Sequence, residues 1–157
     1  MEPGALTPLR CVIDSMVFDA IAQERTLLDE VDRLTRARRL ELLAALETME
    51  EIAATPDAEH RRRLRRVRVL VVPPPSSARS DRRLARMRAS PGVSDEDARI
   101  AVTAAAHGVP LVTEDRDLRR AAAAHLPETP LWHWAQDLLP RIEALAADAP
   151  AAPRRRR

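Results

Sequence analysis

The sequence contains no lysine; all 26 basic residues are arginine. That excludes chemistry built on an ε-amino group, including a Schiff base, a P-loop or the lysine of a phospho-receiver domain. Cysteine is nearly absent too. Cys11 stands alone, so no disulfide framework and no Cys-rich zinc site can form, and a reducing compartment suits the chain. Aromatic residues make up 2% of the sequence, with one Phe, two Trp and no Tyr. That leaves little from which to build a large aromatic stacking platform for single-stranded nucleic acid, and the core must rest on Leu, Val, Ile and Ala. No apolar run approaches the roughly 20 residues that cross a membrane. The N-terminus, MEPGALTPLR, lacks the charged and apolar regions of a signal peptide. A cytoplasmic protein with no membrane partner is the expectation.

What is present suits one α/β domain. The chain has 157 residues, of which 45% are hydrophobic, enough for a single sizeable core. The formal charge is +2, yet Arg154–Arg157 alone carry +4, which leaves −2 on residues 1–153. The basic balance belongs to a tail and does not argue for nucleic-acid binding.

Hydrophobic periodicity places strands and helices in alternation. "RCVID" (Arg10–Asp14) reads as a strand. Met16 to about Arg38 reads as two helices or one broken near Glu24–Thr26. "LELLAA" (Leu40–Ala45) fits a helix by periodicity alone but reads as a strand that runs into the helix "LETMEEIAA", and Pro56 ends that helix or begins the next turn. "AEHRRRLRR" is a charged helix, and "VRVLVV" (Val67–Val72) is the clearest strand. "PPPSSARS" is a loop, and "DRRLARMRA" a short basic helix. "SDEDARIAVTAAAHG" is a helix with Ser94 as N-cap, acids in its first turn and Gly108 as its stop. Strand "PLVT", helix "RDLRRAAAAH", a short strand around "PLWHW" and a last helix, "AQDLLPRIEALAA", follow. Pro140 falls in the first turn of that last helix or kinks it. The expected fold is a three-layer α/β/α architecture around a mostly parallel sheet. Residues 1–9 form an N-terminal extension, 10–147 the domain, and 148–157 a disordered Arg-rich tail.

Ligands bind beyond the carboxyl ends of strands in such sheets. Asp14 ends the first strand, and Asp115 lies just past "PLVT". Asp97 is in the first turn of the helix that feeds the latter strand. Glu51 lies on the helix after the second strand, with Glu47 and Glu50 as competitors. Each acid also has a purely structural explanation: Asp14 and Asp115 as N-caps, Asp97 in a capping box with Ser94, Glu51 as a solvated helix residue. As a set they say more. Four clustered carboxylates repel one another, and burial raises their pKa values, so cations must compensate them near neutral pH. Oxygen ligands without Cys or His select Mg²⁺ or Mn²⁺. Such ions serve phosphodiester hydrolysis by activating water, orienting the phosphate and stabilising the leaving oxygen.

In order and spacing, "VIDSMVFDAI", "EEIAATPD", "DARIAVTAAAHGVPLVTEDRDL" and "PLWHW" resemble the PIN domain family over roughly Arg10–Leu145. The third motif is the most specific. The resemblance implies a metal-dependent endoribonuclease, many members being VapC-type toxins held by a small antitoxin protein; the alternative is a PIN-like scaffold that binds RNA or protein without cutting. It implies Asp14, Glu51, Asp97 and Asp115 as catalytic metal ligands for Mg²⁺ or Mn²⁺, with Glu51 preferred over Glu50 because it heads "EIAATPD". It implies Ser15, Thr113 and Asp117 as supporting polar groups around the site. Many members carry Asn two residues after the first acid; Met16 stands here, so that edge lacks a polar group. Relatives often pair, and the helix over 26–38 is the candidate for a homodimer contact.

Arg79, Arg82, Arg83, Arg86 and Arg88 form a basic strip that would hold an RNA backbone, or simply a solvated helix face. Arg61–Arg63, Arg65 and Arg66 read as solvated. His60, His107, His125 and His133 share no metal-ligand spacing and read as structural or surface residues. Trp132 and Trp134 alternate, so one should face the core and the other a helix or partner. Cys11 reads as buried and inert. Ser15 lacks the G-x-S-x-G context of a nucleophile. "DSM" lacks the D-x-D of a dehalogenase-type phosphatase.

Overall fold

The computed structural model describes residues 6–149. Five parallel strands form one sheet in the order β3-β2-β1-β4-β5: β1 (Leu9–Ile13), β2 (Leu40–Ala45), β3 (Leu70–Val72), β4 (Leu111–Val112) and β5 (Leu131–Trp132). The helices are α1 (Ser15–Ala22), α2 (Arg25–Arg36), α3 (Leu46–Ala53), α4 (Ala58–Leu64), α5 (Ala78–Arg88), α6 (Asp95–His107), α7 (Arg116–His125) and α8 (Leu139–Asp148). The expected α/β/α architecture is what forms.

Strand alternation divides the core in two. Cys11, Ile13, Leu40, Leu42 and Ala44 point to one face and pack with Phe18, Ile21, Val31, Leu34 and Ile142 from α1, α2 and α8. Val12, Leu43 and Ala45 point to the other and pack with Met87, Ala101, Ala104 and Leu118 from α5, α6 and α7. Burying each large side chain of this kind contributes about 1.5–3 kcal/mol. With so few aromatics, this aliphatic interlock carries the domain.

β1 is central, flanked by β2 in the register Val12–Leu43 and by β4 in the register Val12–Leu111. The chain runs outward from β1 through β2 to β3, then crosses back to β4 and β5. The order therefore reverses between β1 and β4, where a crevice opens at their carboxyl ends.

Several boundaries differ from expectation. The break between the first two helices falls at Gln23–Glu24, slightly before the expected Glu24–Thr26. Strand structure in Val67–Val72 is confined to Leu70–Val72, because the Val67 N–H bonds back to Leu64 O in the turn that closes α4. Three prolines, Pro73–Pro75, end that edge strand, since they have no N–H for a ladder. α5 begins earlier than expected: Ser77 caps it, its hydroxyl accepting from the Ser80 N–H at 3.0 Å. A π-turn (Trp134–Leu138) precedes α8, and Pro140 sits in the first turn of α8. The expected split of the two tryptophans, one to the core and one to a helix or partner, does not occur: positions i and i+2 of a strand share a face, and β5 ends at Trp132 while Trp134 opens the π-turn. Both pack against the same apolar cluster, and Arg141 stacks 4.2 Å over the Trp132 ring. Helix α8 runs through Asp148, so the tail expected over 148–157 does not begin there; residues 150–157 lie outside the described residues, as do residues 1–5.

Candidate active site

The crevice beyond β1 and β4 is an open basin of about 440 Å³ lined by Asp14, Ser15, Met16, Glu51, Ser94, Glu96, Asp97, Ile100, Glu114 and Asp115. All four candidate acids meet here, from four separate segments.

Helix caps aim two of them. Asp14 is the N-cap of α1, its Oδ1 accepting from the Val17 N–H at 3.3 Å. Asp115 is the N-cap of α7, its Oδ1 accepting from the Leu118 N–H at 2.9 Å. Capping and site-forming are therefore not rival explanations. One oxygen satisfies an orphan helix donor, and the carboxylate is fixed at the rim of the basin while it does so. Asp97 follows the cap of α6, where its N–H donates to Ser94 Oγ at 3.1 Å. No described residue donates a hydrogen bond to the Asp97 carboxylate, so the reciprocal half of a capping box is not made. Glu51, on the last turn of α3, accepts a hydrogen bond from Ser15 Oγ at 3.1 Å. Glu50 does not line the basin, and Glu47 turns instead toward Arg99.

Thr113 ties the floor together. It is fully buried, and its Oγ1 accepts from the Asp115 N–H at 3.2 Å. Its own N–H donates to Trp132 O, and its carbonyl accepts from Arg119 Nη1 at 2.9 Å. Burial pushes the Asp14 carboxyl above the ordinary aspartate range. The Thr113 hydroxyl and the Val17 and Met16 N–H groups pull it back, and the neighbouring charge of Asp97 raises it further. The net rise is chiefly the mark of a carboxyl taken out of water, with the Asp97 charge adding to it.

One expectation lands differently, and the one for Met16 holds. Asp117 lies outside the basin; it pairs with Arg120 at 3.1 Å and packs against Gly92. Met16 is 43% exposed at the rim, an apolar edge on an acidic basin. Glu114 went unnoticed in the sequence. It lines the basin and holds His133 Nδ1 and the Trp134 N–H, each at 2.7 Å. Burial would raise its carboxyl, but these two donors and the His133 and Arg119 charges hold it below the usual glutamate range. Its only signal was its place beside Asp115. His60 pairs with Asp19 at 2.5 Å, away from the basin. Cys11 is buried, its thiol pushed up to about 12 by desolvation.

Of the basic strip, Arg83 and Arg79 pair with Glu128, and Arg88 pairs with Asp95. Arg82 and Arg86 are exposed on α5 and form no ion pair among the described residues.

The donors suit a divalent ion in kind: all four are carboxylates, and Asp14 and Asp115 each commit only one oxygen to a cap. As they stand, however, no three acidic, imidazole or thiol groups among the described residues converge tightly enough to enclose an ion. Among the described residues no helix is long and apolar enough to cross a membrane.

Known proteins share this architecture. A chain of VapBC2 from Rickettsia felis, crystallised with a DNA fragment from the VapBC2 promoter, superposes with a TM-score of 0.56 at 14% identity, covering 80% of this chain and 99% of its own. PAE2754 from Pyrobaculum aerophilum superposes with a TM-score of 0.56 at 20% identity, covering 87% and 96%. The PIN domain endonuclease Utp24 superposes with a TM-score of 0.52 at 17% identity, covering 83% and 88%. At these identities the likeness speaks for the fold. No curated protein is significantly similar to the chain in sequence. The model of the PIN domain matches residues 15–124, more than two thirds of the sequence, and the chain belongs to the PIN domain family of nucleases.

Proposed function

We propose that this protein is a metal-dependent endoribonuclease that uses Mg²⁺ or Mn²⁺, with Asp14, Glu51, Asp97 and Asp115 as ion ligands. The observation that carries the proposal is the meeting of these four acids in one basin at the β1/β4 crossover. Crowded carboxylates of this kind lower the stability of the ion-free protein and are compensated by a bound cation. A bound divalent ion supplies Lewis-acid polarisation of the phosphoryl group and a more acidic water.

The chain's own residues supply the rest. The caps of α1 and α7 hold Asp14 and Asp115 at fixed angles. Ser15 orients Glu51 through its hydroxyl. Thr113 fixes the backbone behind Asp115 and steadies the charged form of Asp14. Arg82 and Arg86 are the cations of the strip without an ion pair among the described residues; with Arg79 and Arg83 loosened from Glu128, they would steer the RNA backbone. The domain proper is taken as residues 10–147. A small antitoxin as inhibitor and a second copy of the chain are the partners that suit a toxin of this family.

The test is calorimetric titration of Mn²⁺ and Mg²⁺ into wild type and Asp97→Asn, with cleavage of a mixed RNA pool measured alongside. Ion binding and cleavage that both vanish in the variant support the proposal. No ion uptake by wild type would refute it and favour a scaffold that binds RNA or protein without cutting.

A further inference from the structure

We propose that Arg99 is a positioning residue that braces α3 against α6 and so sets the separation of Glu51 and Asp97. The inference rests on the carboxylate site proposed above.

Arg99 grips two acids at once. Its Nε lies 2.9 Å from Asp95 Oδ2 on its own helix, and its Nη1 lies 3.9 Å from Glu47 Oε1 on α3. The Glu47 side chain is only 12% exposed, and its Oε2 is buried with no hydrogen-bond partner. A carboxylate so placed is costly without a compensating cation, and Arg99 is its ion-pair partner among the described residues. The pull between them closes the α3–α6 seam. The anchor is itself held, because the other Asp95 oxygen pairs with Arg88 of α5.

The two braced helices carry two of the four proposed ligands. Glu51 lies one helical turn beyond Glu47 on the same side of α3. Asp97 lies two residues before Arg99, on the first turn of α6. A change in the seam therefore moves these two carboxylates relative to each other. The guanidinium fork can touch both acids at once, whereas an ammonium is a single point charge.

A through-space effect and a positioning effect have opposite signs here. Removing a cation near an ion site should tighten Mn²⁺ binding by relieving repulsion. Removing a brace should loosen it, by about 10-fold or more, as for other supports of metal ligands. The experiment titrates Mn²⁺ into full-length wild type, Arg99→Met, Arg99→Lys, Glu47→Gln and the double variant Glu47→Gln/Arg99→Met, with thermal melts in EDTA to check folding. Weaker binding in Arg99→Met and Arg99→Lys, and a double variant no worse than Arg99→Met, is the expected result. Unchanged or tighter binding in Arg99→Met, with wild type binding normally, overturns this inference alone. Failure of wild type to bind Mn²⁺ overturns the site and this inference together. Should Arg99→Met not fold, Arg99→Lys tests the brace with the charge kept: weaker Mn²⁺ binding supports it, and unchanged binding overturns it.

Discussion

Replacing Asp14 separates its two roles, because Asn caps a helix about as well as Asp while carrying no charge. In wild type the Asp14 carboxyl is raised above its ordinary range, chiefly by burial, with a further push from Asp97. A group whose folded pKa is raised stabilises the fold below its unfolded pKa. It loses that contribution as pH rises through the folded value. The ion-free wild type should therefore fall behind Asp14→Asn as pH climbs from about 4 toward neutrality. At pH 7.5 in EDTA, we expect Asp14→Asn to exceed wild type by about 1 kcal/mol, in the range of other charge-relieving substitutions. Asp14→Ala removes the same charge but leaves the Val17 N–H uncapped. It should sit about 1 kcal/mol below Asp14→Asn. For a domain of this size each kcal/mol corresponds to about 2–4 °C in Tm. Mn²⁺ at about 100 times its Kd should add about 2.7 kcal/mol to wild type and little to either variant, which inverts the order. Thermal melts of the three proteins with EDTA and with Mn²⁺ read all of this, and both variants should lack RNA cleavage. An ion-free wild type more stable than Asp14→Asn at pH 7.5 would refute the reasoning from repelling carboxylates.

Other consequences follow from single features. Thr113→Val keeps the shape but strips the Asp115 N–H of its acceptor; we expect a loss of about 1–3 kcal/mol in denaturant melts, together with weaker Mn²⁺ binding. Gly92 and Gly108 both have positive φ, at 76° and 63°, but a Cβ at Gly92 would collide with the Asp117 carboxylate while one at Gly108 meets nothing among the described residues. Gly108→Ala should cost about 1–2 kcal/mol from backbone strain alone, and Gly92→Ala more, with part of the excess recovered by adding Asp117→Ala; equal losses at the two sites would contradict this. The lowered Glu114 carboxyl contributes stability that is present above its unfolded pKa and lost as pH falls through the lower folded value. Tm-against-pH curves of wild type and Glu114→Gln should therefore differ at neutral pH and converge in acid. Cys11, with its thiol pushed up to about 12 in the core, should react with a thiol reagent at pH 8 only at the rate of unfolding.

The sequence by itself determined the layers. Short apolar strands such as Arg10–Asp14 and Leu40–Ala45, separated by helical repeats, leave a parallel sheet covered on both faces as the way to bury them. It also determined which acids end strands or open helices, because Ser94, Gly108 and the strand ends are local signals. Only the tertiary structure decided which acids meet. Glu51 and Glu50 differ by one residue in sequence, and the packing of α3 selects Glu51 for the basin and sends Glu47 to Arg99. Glu114 is in the basin because His133 and Trp134 N–H, 19 and 20 residues away, hold it there. Asp117 is outside because α7 turns it toward Gly92 and Arg120. Strand lengths were also tertiary, since an edge such as β3 has one neighbour to pair with and stops where its hydrogen-bond donors run out at Pro73. Local pattern specifies what each segment is. The pairing of distant segments, which rests on burial and on ion pairs across elements, specifies which charges must share one space.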